Sequence, residues 1–301
     1  MGSHIRLGLC CISLTLKAEG IAYRHMTYKS FISQDRRKAS KKLAELCLHN
    51  AEVLNKILRR CVELGIARYR IPSDIFPLIT HPALNLEFNK LSTSAKIKKS
   101  LRESGKIALG NNLGLSFHPS QFIVIASQNP AVRKNSAADI NFNAEILDIM
   151  GIPTTKSYPI NIHINTAPNS FKFRENFENG LSLLSDSARA RLVIENEDKG
   201  HWNVSNLEKF LKKYSIPIAF DFLHHRCNSG GIAMKKAAGI AQKTWEKHIP
   251  IFHYSESLSD AKPRSHSDFC VKLPPKLGFS YDCMIEAKSK DLAIIKLLKR
   301  L

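Results

Sequence analysis

Several things are scarce or missing in this chain, and each absence closes a class of function. No run of eighteen consecutive apolar residues occurs, so a membrane-spanning helix is excluded as an expectation. No Cys-x-x-Cys pair occurs among the seven cysteines (Cys10, Cys11, Cys47, Cys61, Cys227, Cys270, Cys283), which argues against a zinc ribbon or a thioredoxin-type site. The number is odd and several sit in apolar runs, so they read as reduced thiols of a cytoplasmic protein. There is neither a tandem repeat nor a low-complexity segment. Acidic residues are few: 26 Asp+Glu face 45 Lys+Arg, a net charge of +19 on 301 residues. Such an excess calls for a polyanionic partner, nucleic acid before an anionic membrane surface. Hydrophobic residues make up 44% of the chain, enough for a large core, so wholesale disorder is excluded. Residues 1–4 (Met-Gly-Ser-His) read as an expression-tag remnant ahead of one domain, 5–301.

Short apolar stretches at 5–10, 66–71, 113–117, 159–164, 191–196, 216–222, 249–254 and 282–287 read as strands. Helical periods lie between or after them, at 36–63, 136–150, 176–190, 205–214, 231–247 and 287–301. Residues 90–106, with Lys90, Lys96, Lys98, Lys99, Arg102 and Lys106, read as a basic helix or loop: a solvated face or a phosphate-binding one. Strands alternating with helices imply a parallel sheet with right-handed crossovers. Eight such units match the α/β class as a (β/α)8 TIM barrel; an open doubly wound sheet is the competing architecture.

The chemistry collects where these strands end. His118, His163, Glu195, Asp221, His253 and Glu286 each stand at or near the C-terminal end of a different one of six consecutive strands. In a barrel that face carries the active site. Alternation along NIHIN puts Asn161, His163 and Asn165 on the side opposite Ile160, Ile162 and Ile164, aiming His163 into the mouth. His224 and the loop residue His266 extend the set. His25, His49, His81, His201, His225 and His248 are expected to be ordinary hydrogen-bonded histidines. Unpaired buried carboxylates are costly, and divalent cations are the simplest compensation. Imidazole with carboxylate suits zinc, manganese or iron, and so many donors imply two or three ions, which together can displace at phosphorus.

At these residues the sequence resembles the UV damage endonucleases, relatives of endonuclease IV. The resemblance runs through IRLGLCCISLTL, YRIPSDIFPLITH (69–81), LSFHPSQFIVIAS (115–127), NIHIN, LVIENED, FDFLHH, HYSES, SHSDF and DCMIEAKSKDLA. It implies a barrel with a cluster of two or three divalent ions, commonly Mn2+, with Zn2+ as the other option. His118, His163 and Glu195 would hold one ion. Glu195 would bridge to a second, held by Asp221, His253 and Glu286, and His224 and His266 would hold a third. Glu195, His253 and Glu286 are the expected catalytic residues. The implied reaction is hydrolysis immediately 5′ to a UV photolesion or abasic site, leaving 3′-hydroxyl and 5′-phosphate ends. The implied partner is damaged double-stranded DNA, met by a monomer and in the nucleoid. Gln121 and Phe122 match a pair that enters the duplex at the lesion, and Arg70 and Ser73 are expected to contact DNA with them. Core packing beside Ile123 and Ile125 is the other reading of Phe122. This chain departs from relatives at Leu9, Ser13 and Ile251, where an aromatic, an Asn and, in some, a modified lysine stand. Other readings are an abasic-site endonuclease of the endonuclease IV type, a metal-dependent sugar isomerase, whose neutral substrates leave +19 without purpose, and a non-enzymatic nucleic-acid-binding module.

Overall fold

The computed structural model describes residues 4–168 and 172–301; of the expected tag remnant only His4 falls within them. Eight parallel strands form the centre: β1 (Ile5–Cys10), β2 (Arg68–Ile71), β3 (Gly114–Phe117), β4 (Ile160–Ile162), β5 (Leu192–Glu195), β6 (Ile218–Ala219), β7 (Ile251–Tyr254) and, after a hairpin of β8 (Ser257–Ser259) with β9 (Lys262–His266), β10 (Tyr281–Ile285). Their order is β6-β5-β4-β3-β2-β1-β10-β7. A single bridge, Asp221 to His253, with His253 N–H donating to the Phe220 carbonyl at 2.9 Å, joins the two ends into a barrel. All eight barrel strands fall within or one residue from the expected stretches.

Helices α1 (Leu14–Ala18), α2 (Tyr28–Ile32) and α3 (Arg36–Glu63) follow β1, and α4 (Ser94–Gly110) and α5 (Pro130–Ile149) follow β2 and β3. Then come α6 (Phe173–Ser182), α7 (Asp186–Arg191), α8 (Val204–Leu211), α9 (Phe222–Cys227), α10 (Met234–Lys243) and α11 (Lys290–Leu298). The long α3 shows why such boundaries are readable. Asp35 caps its first turn by accepting from the Lys38 N–H at 3.0 Å. Gly65, at φ +69°, ends it, with Ile66 N–H returning to the Cys61 carbonyl at 2.9 Å. The basic stretch 90–106 lies mostly in α4, its lysines outside and Ile97 and Leu101 inside.

Three expectations give way. The helix expected over 176–190 is two, because Ser185 caps a fresh turn by accepting from the Ala188 N–H. The strand expected to reach residue 222 ends early, because Asp221 accepts from the His224 N–H at 2.6 Å and starts α9. The exposed hairpin of β8 and β9, which makes His266 a strand residue rather than a loop one, has no apolar alternation to announce it.

Alternation sorts the barrel. Leu9, Tyr69, Leu115, Ile160, Ile162, Ile194, Ile218, Phe252 and Ile285 face the helices in one continuous core. Cys10, Val193, Ala219, Ile251 and Met284 cluster on the other side with Trp245. Leu9 and Ile251 are therefore packing residues here. Gly8 belongs to the crowded interior: a Cβ there would stand 2.4 Å from the Met284 sulfur. The floor is ionic. Asp282 takes a two-pronged contact from Arg6 at 2.6 and 2.8 Å and a third from the buried Arg68 at 2.9 Å.

Candidate metal centre

The mouth of the barrel gathers the residues that the strand ends promised. Glu195, fully buried at the end of β5, is the hub. Its Oε2 lies 3.1 Å from His118 Nε2, 3.9 Å from His163 Nε2 and 2.8 Å from His253 Nδ1, and its Oε1 lies 3.1 Å from His224 Nδ1. Glu286 approaches the same nitrogen of His253, its Oε1 3.4 Å from Nδ1, and its Oε2 is 3.7 Å from His266 Nδ1. Asp221 Oδ1 is 3.9 Å from His224 Nδ1. All eight residues expected as ligands therefore meet in one region. Among the described residues, two tight donor triplets form there, His118–Glu195–His253 and His163–Glu195–His224.

The donors fit a cation on two observations. First, Glu195 Oε1, Asp221 Oδ2, His163 Nδ1 and His253 Nδ1 are buried without an aligned hydrogen bond, although neighbouring donors and acceptors stand close. Buried polar atoms are rarely left so, because each costs about 1–3 kcal/mol. Second, three rings are held by backbone carbonyls through Nδ1: His118 by Pro119 at 3.1 Å, His224 by Asn196 at 2.9 Å and His266 by Glu286 at 2.7 Å. A neutral ring bonded this way keeps its proton on Nδ1 and frees the Nε2 lone pair, the arrangement that metal-binding histidines use.

His253 is set the other way. Arg70 Nη2 donates to its Nε2 at 2.9 Å, so a neutral ring carries its proton on Nδ1, towards Glu195. Its lone pair becomes available to a cation only if that bond is given up.

The electrostatics suit a cation at most of these donors, with His224 the exception. Burial pushes the His163 imidazole down to about 4, and burial lowers His118 as well, so both are neutral donors at physiological pH. Burial works against the charged form of Glu195, but His253, His163 and the hydrogen bonds from His118 and His224 outweigh it and hold the carboxyl well below its ordinary range. Burial raises Asp221 to about 6. His224, against its own burial, is raised to about 11 by Asp221 and Glu195.

The expected DNA-contacting residues divide. Phe122 is 77% exposed, while its neighbours Ile123 and Ile125 are buried, so the core-packing reading of Phe122 is excluded. Gln121 is exposed beside it. Ser73 lines a cavity of about 460 Å³ shared with Ser13, Lys17, Tyr23, His25 and His118. The Ser13 hydroxyl there is committed to Asp291, 2.6 Å away. Arg70, placed by expectation on the DNA surface, is buried: its Nη1 donates to Glu286 Oε1 at 2.6 Å and its other arm to His253. It faces the cluster because β2 turns Arg68 and Arg70 inward and Tyr69 and Ile71 outward. Asn161, which donates to Glu195 Oε2, was missed, although NIHIN places it on the His163 face. His225 is buried, its Nε2 3.0 Å from the Ile232 carbonyl.

The family model described as UV-endonuclease UvdE matches residues 5–301. The UV DNA damage endonuclease of Bacillus mycoides (strain KBAB4) is 31% identical over 284 residues, 91% of this chain and 87% of that protein. The crystal structure of SacUVDE superimposes with a TM-score of 0.83 at 26% identity, over 99% of this chain and 98% of that one. Endonuclease IV from Thermus thermophilus shares the fold, with a TM-score of 0.56 at 13% identity over 82% and 95%. The chain belongs to the UV-endonuclease UvdE family.

Proposed function

We propose that this chain is a divalent-metal-dependent endonuclease that nicks damaged duplex DNA at the phosphodiester immediately 5′ to the lesion. UV photoproducts are its substrates, with abasic sites as further ones, and the products carry 3′-hydroxyl and 5′-phosphate ends. One observation carries the metal dependence: buried carboxylate and imidazole atoms without aligned partners converge at the barrel mouth, around rings whose Nδ1 is tied to backbone. Mn2+ and Zn2+ both suit these donors. His118, His163, His224, His253, His266, Glu195, Asp221 and Glu286 would hold two or three ions. The ions would supply Lewis-acid stabilisation of charge on the phosphate and a nucleophilic water at neutral pH.

The chain's own groups do the rest. Glu195 stays ionised among its imidazoles, and Arg70 holds Glu286 in place as a carboxylate. Phe122 and Gln121 stand clear of the surface as a wedge. Unstacking a base step costs a few kcal/mol, less at a damaged step, so a wedge selects damage by ease of deformation. The +19 charge supplies affinity for the phosphate backbone.

The test pairs elemental analysis with nicking of one irradiated and one untreated duplex. The wild-type protein should carry metal and nick the irradiated duplex. Glu195→Gln should stay folded by circular dichroism, lose metal and nick at least about 100-fold more slowly. Wild-type nicking by that variant refutes the assignment.

A further inference from the structure

The wedge loop does not stand alone on the rim. It leaves β3 at His118 and is anchored again by buried Ile123 and by the Val124 N–H, which donates to Ser136 Oγ at 2.9 Å. Between those anchors its apex touches a neighbouring strand end. Asn165, just past β4, donates from Nδ2 to the Gln121 carbonyl at 3.0 Å. The Asn165 N–H donates in turn to Glu197 Oε1 at 2.7 Å. Asn165 sits at φ +53°, a left-handed conformation that asparagine and glycine tolerate best. Glu197 is itself fixed: its N–H donates to the Trp202 carbonyl at 2.9 Å, and the Trp202 indole donates to the Thr166 carbonyl at 2.7 Å. A closed circuit thus ties the loops after β3, β4 and β5, and each loop starts within three residues of His118, His163 or Glu195.

We infer that Asn165, held by Glu197, is a positioning residue that fixes the height of the Gln121–Phe122 wedge above the cluster and so sets the preference for damaged over intact duplex. The inference rests on the wedge reading above. Asn165 itself touches neither the expected ligands nor, on this reading, the lesion. Its side chain holds the one apex carbonyl, while its backbone angle brings its N–H to Glu197. Without that bond the apex loses its tie to the neighbouring loop and keeps the turn bonds within its own, from Phe122 N–H to Ser120 Oγ and from Ile123 N–H to the Ser120 carbonyl, so part of the energy of insertion goes into ordering the loop.

Two substitutions separate the roles of the residue. Asn165→Gly keeps access to the left-handed backbone and deletes the side-chain bond. Asn165→Asp keeps the size but sets an acceptor against the Gln121 carbonyl. Both should retain wild-type metal content and the wild-type rate on intact duplex. Both should lose about five-fold in preference for irradiated duplex, the weight of one net hydrogen bond, through KM rather than kcat. In a Phe122→Ala background Asn165→Gly should cost nothing more, because the wedge it positions is gone. Full preference in both variants, loss of metal, or an undiminished effect in the Phe122→Ala background overturns the inference while leaving the wedge in place. Equal preference in Phe122→Ala and wild type overturns the wedge, and this inference with it.

Discussion

Arg70 offers the sharpest test of the centre's electrostatics, because its burial assigns it a role its sequence position does not announce. Replacing it by methionine keeps the volume and apolar stem and removes the guanidinium. Glu286 then loses a contact of 2.6 Å, and His253 Nε2 loses its donor at 2.9 Å. Burial works against the Glu286 carboxylate; Arg70 and then His253 are what hold its pKa well below the ordinary range. Removing one partner of a buried pair costs about 3–5 kcal/mol. At roughly 2–4 °C per kcal/mol for a domain near this size, the chelated protein should melt about 6–20 °C lower. A divalent cation beside Glu286 restores the missing positive charge, so the drop should shrink to less than about half in saturating Mn2+. The sign in pH follows from the depressed carboxyl. Its contribution is complete above the unfolded value of about 4.3 and is lost as pH falls further, so the gap between wild type and variant is widest at neutral pH and closes in acid. Thermal melts with chelator and with Mn2+, from pH 7 down to pH 2, read all three effects. An unchanged melting point in chelator, with only DNA affinity reduced, would return Arg70 to the DNA surface and refute this reasoning.

Metal uptake should release protons. His224, raised to about 11, is charged at pH 7–8 and must lose a proton to serve as a neutral ligand, so affinity should fall about ten-fold per pH unit and more steeply below about 6, where Asp221 is protonated as well. Titration calorimetry in buffers of different ionisation enthalpy counts the protons; none released would contradict the assignment of His224. DNA affinity should fall about 10³-fold between 50 and 200 mM salt if some six phosphates are neutralised. Filter binding or anisotropy measures this, and a flat profile would remove DNA as the target of the +19 charge.

The legible part of this molecule was whatever apolar periodicity controls. Period-two alternation decided which strand residues face in, so His118, His163, Glu195, Asp221, His253 and Glu286 could be placed at one mouth from spacing alone. The helical period of Leu43, Leu46, Ala51, Leu54, Ile57, Leu58 and Val62 made α3 readable to the residue. Illegible were features that apolar periodicity does not announce: the local Asp221 cap that cuts the sixth strand short, the polar hairpin that carries His266, and the burial of Arg70. Arg70 lies in a segment whose composition suits a surface as well as an interior, and only the inward turn of β2 beside Glu286 decides between them. Ring orientation was equally out of reach, because it depends on which carbonyl each Nδ1 meets.

The two ends of the barrel show why the mouth, and not the interior in general, carries the chemistry. Both ends bury a carboxylate. At the floor, Asp282 receives three close contacts from Arg6 and Arg68, and its charge is answered within the protein. At the mouth, Glu195 Oε1, Asp221 Oδ2 and the Nδ1 atoms of His163 and His253 are left without aligned partners. The floor keeps one orphan of its own, Arg68 Nε, but its carboxylate is fully answered; stability alone would favour that for the carboxylates of both ends, since each orphaned atom costs about 1–3 kcal/mol. A site in which several such costs fall within one small space is built for a ligand that meets them together. On the proposed reading that ligand is a cation, which carboxylate oxygen and imidazole nitrogen both suit.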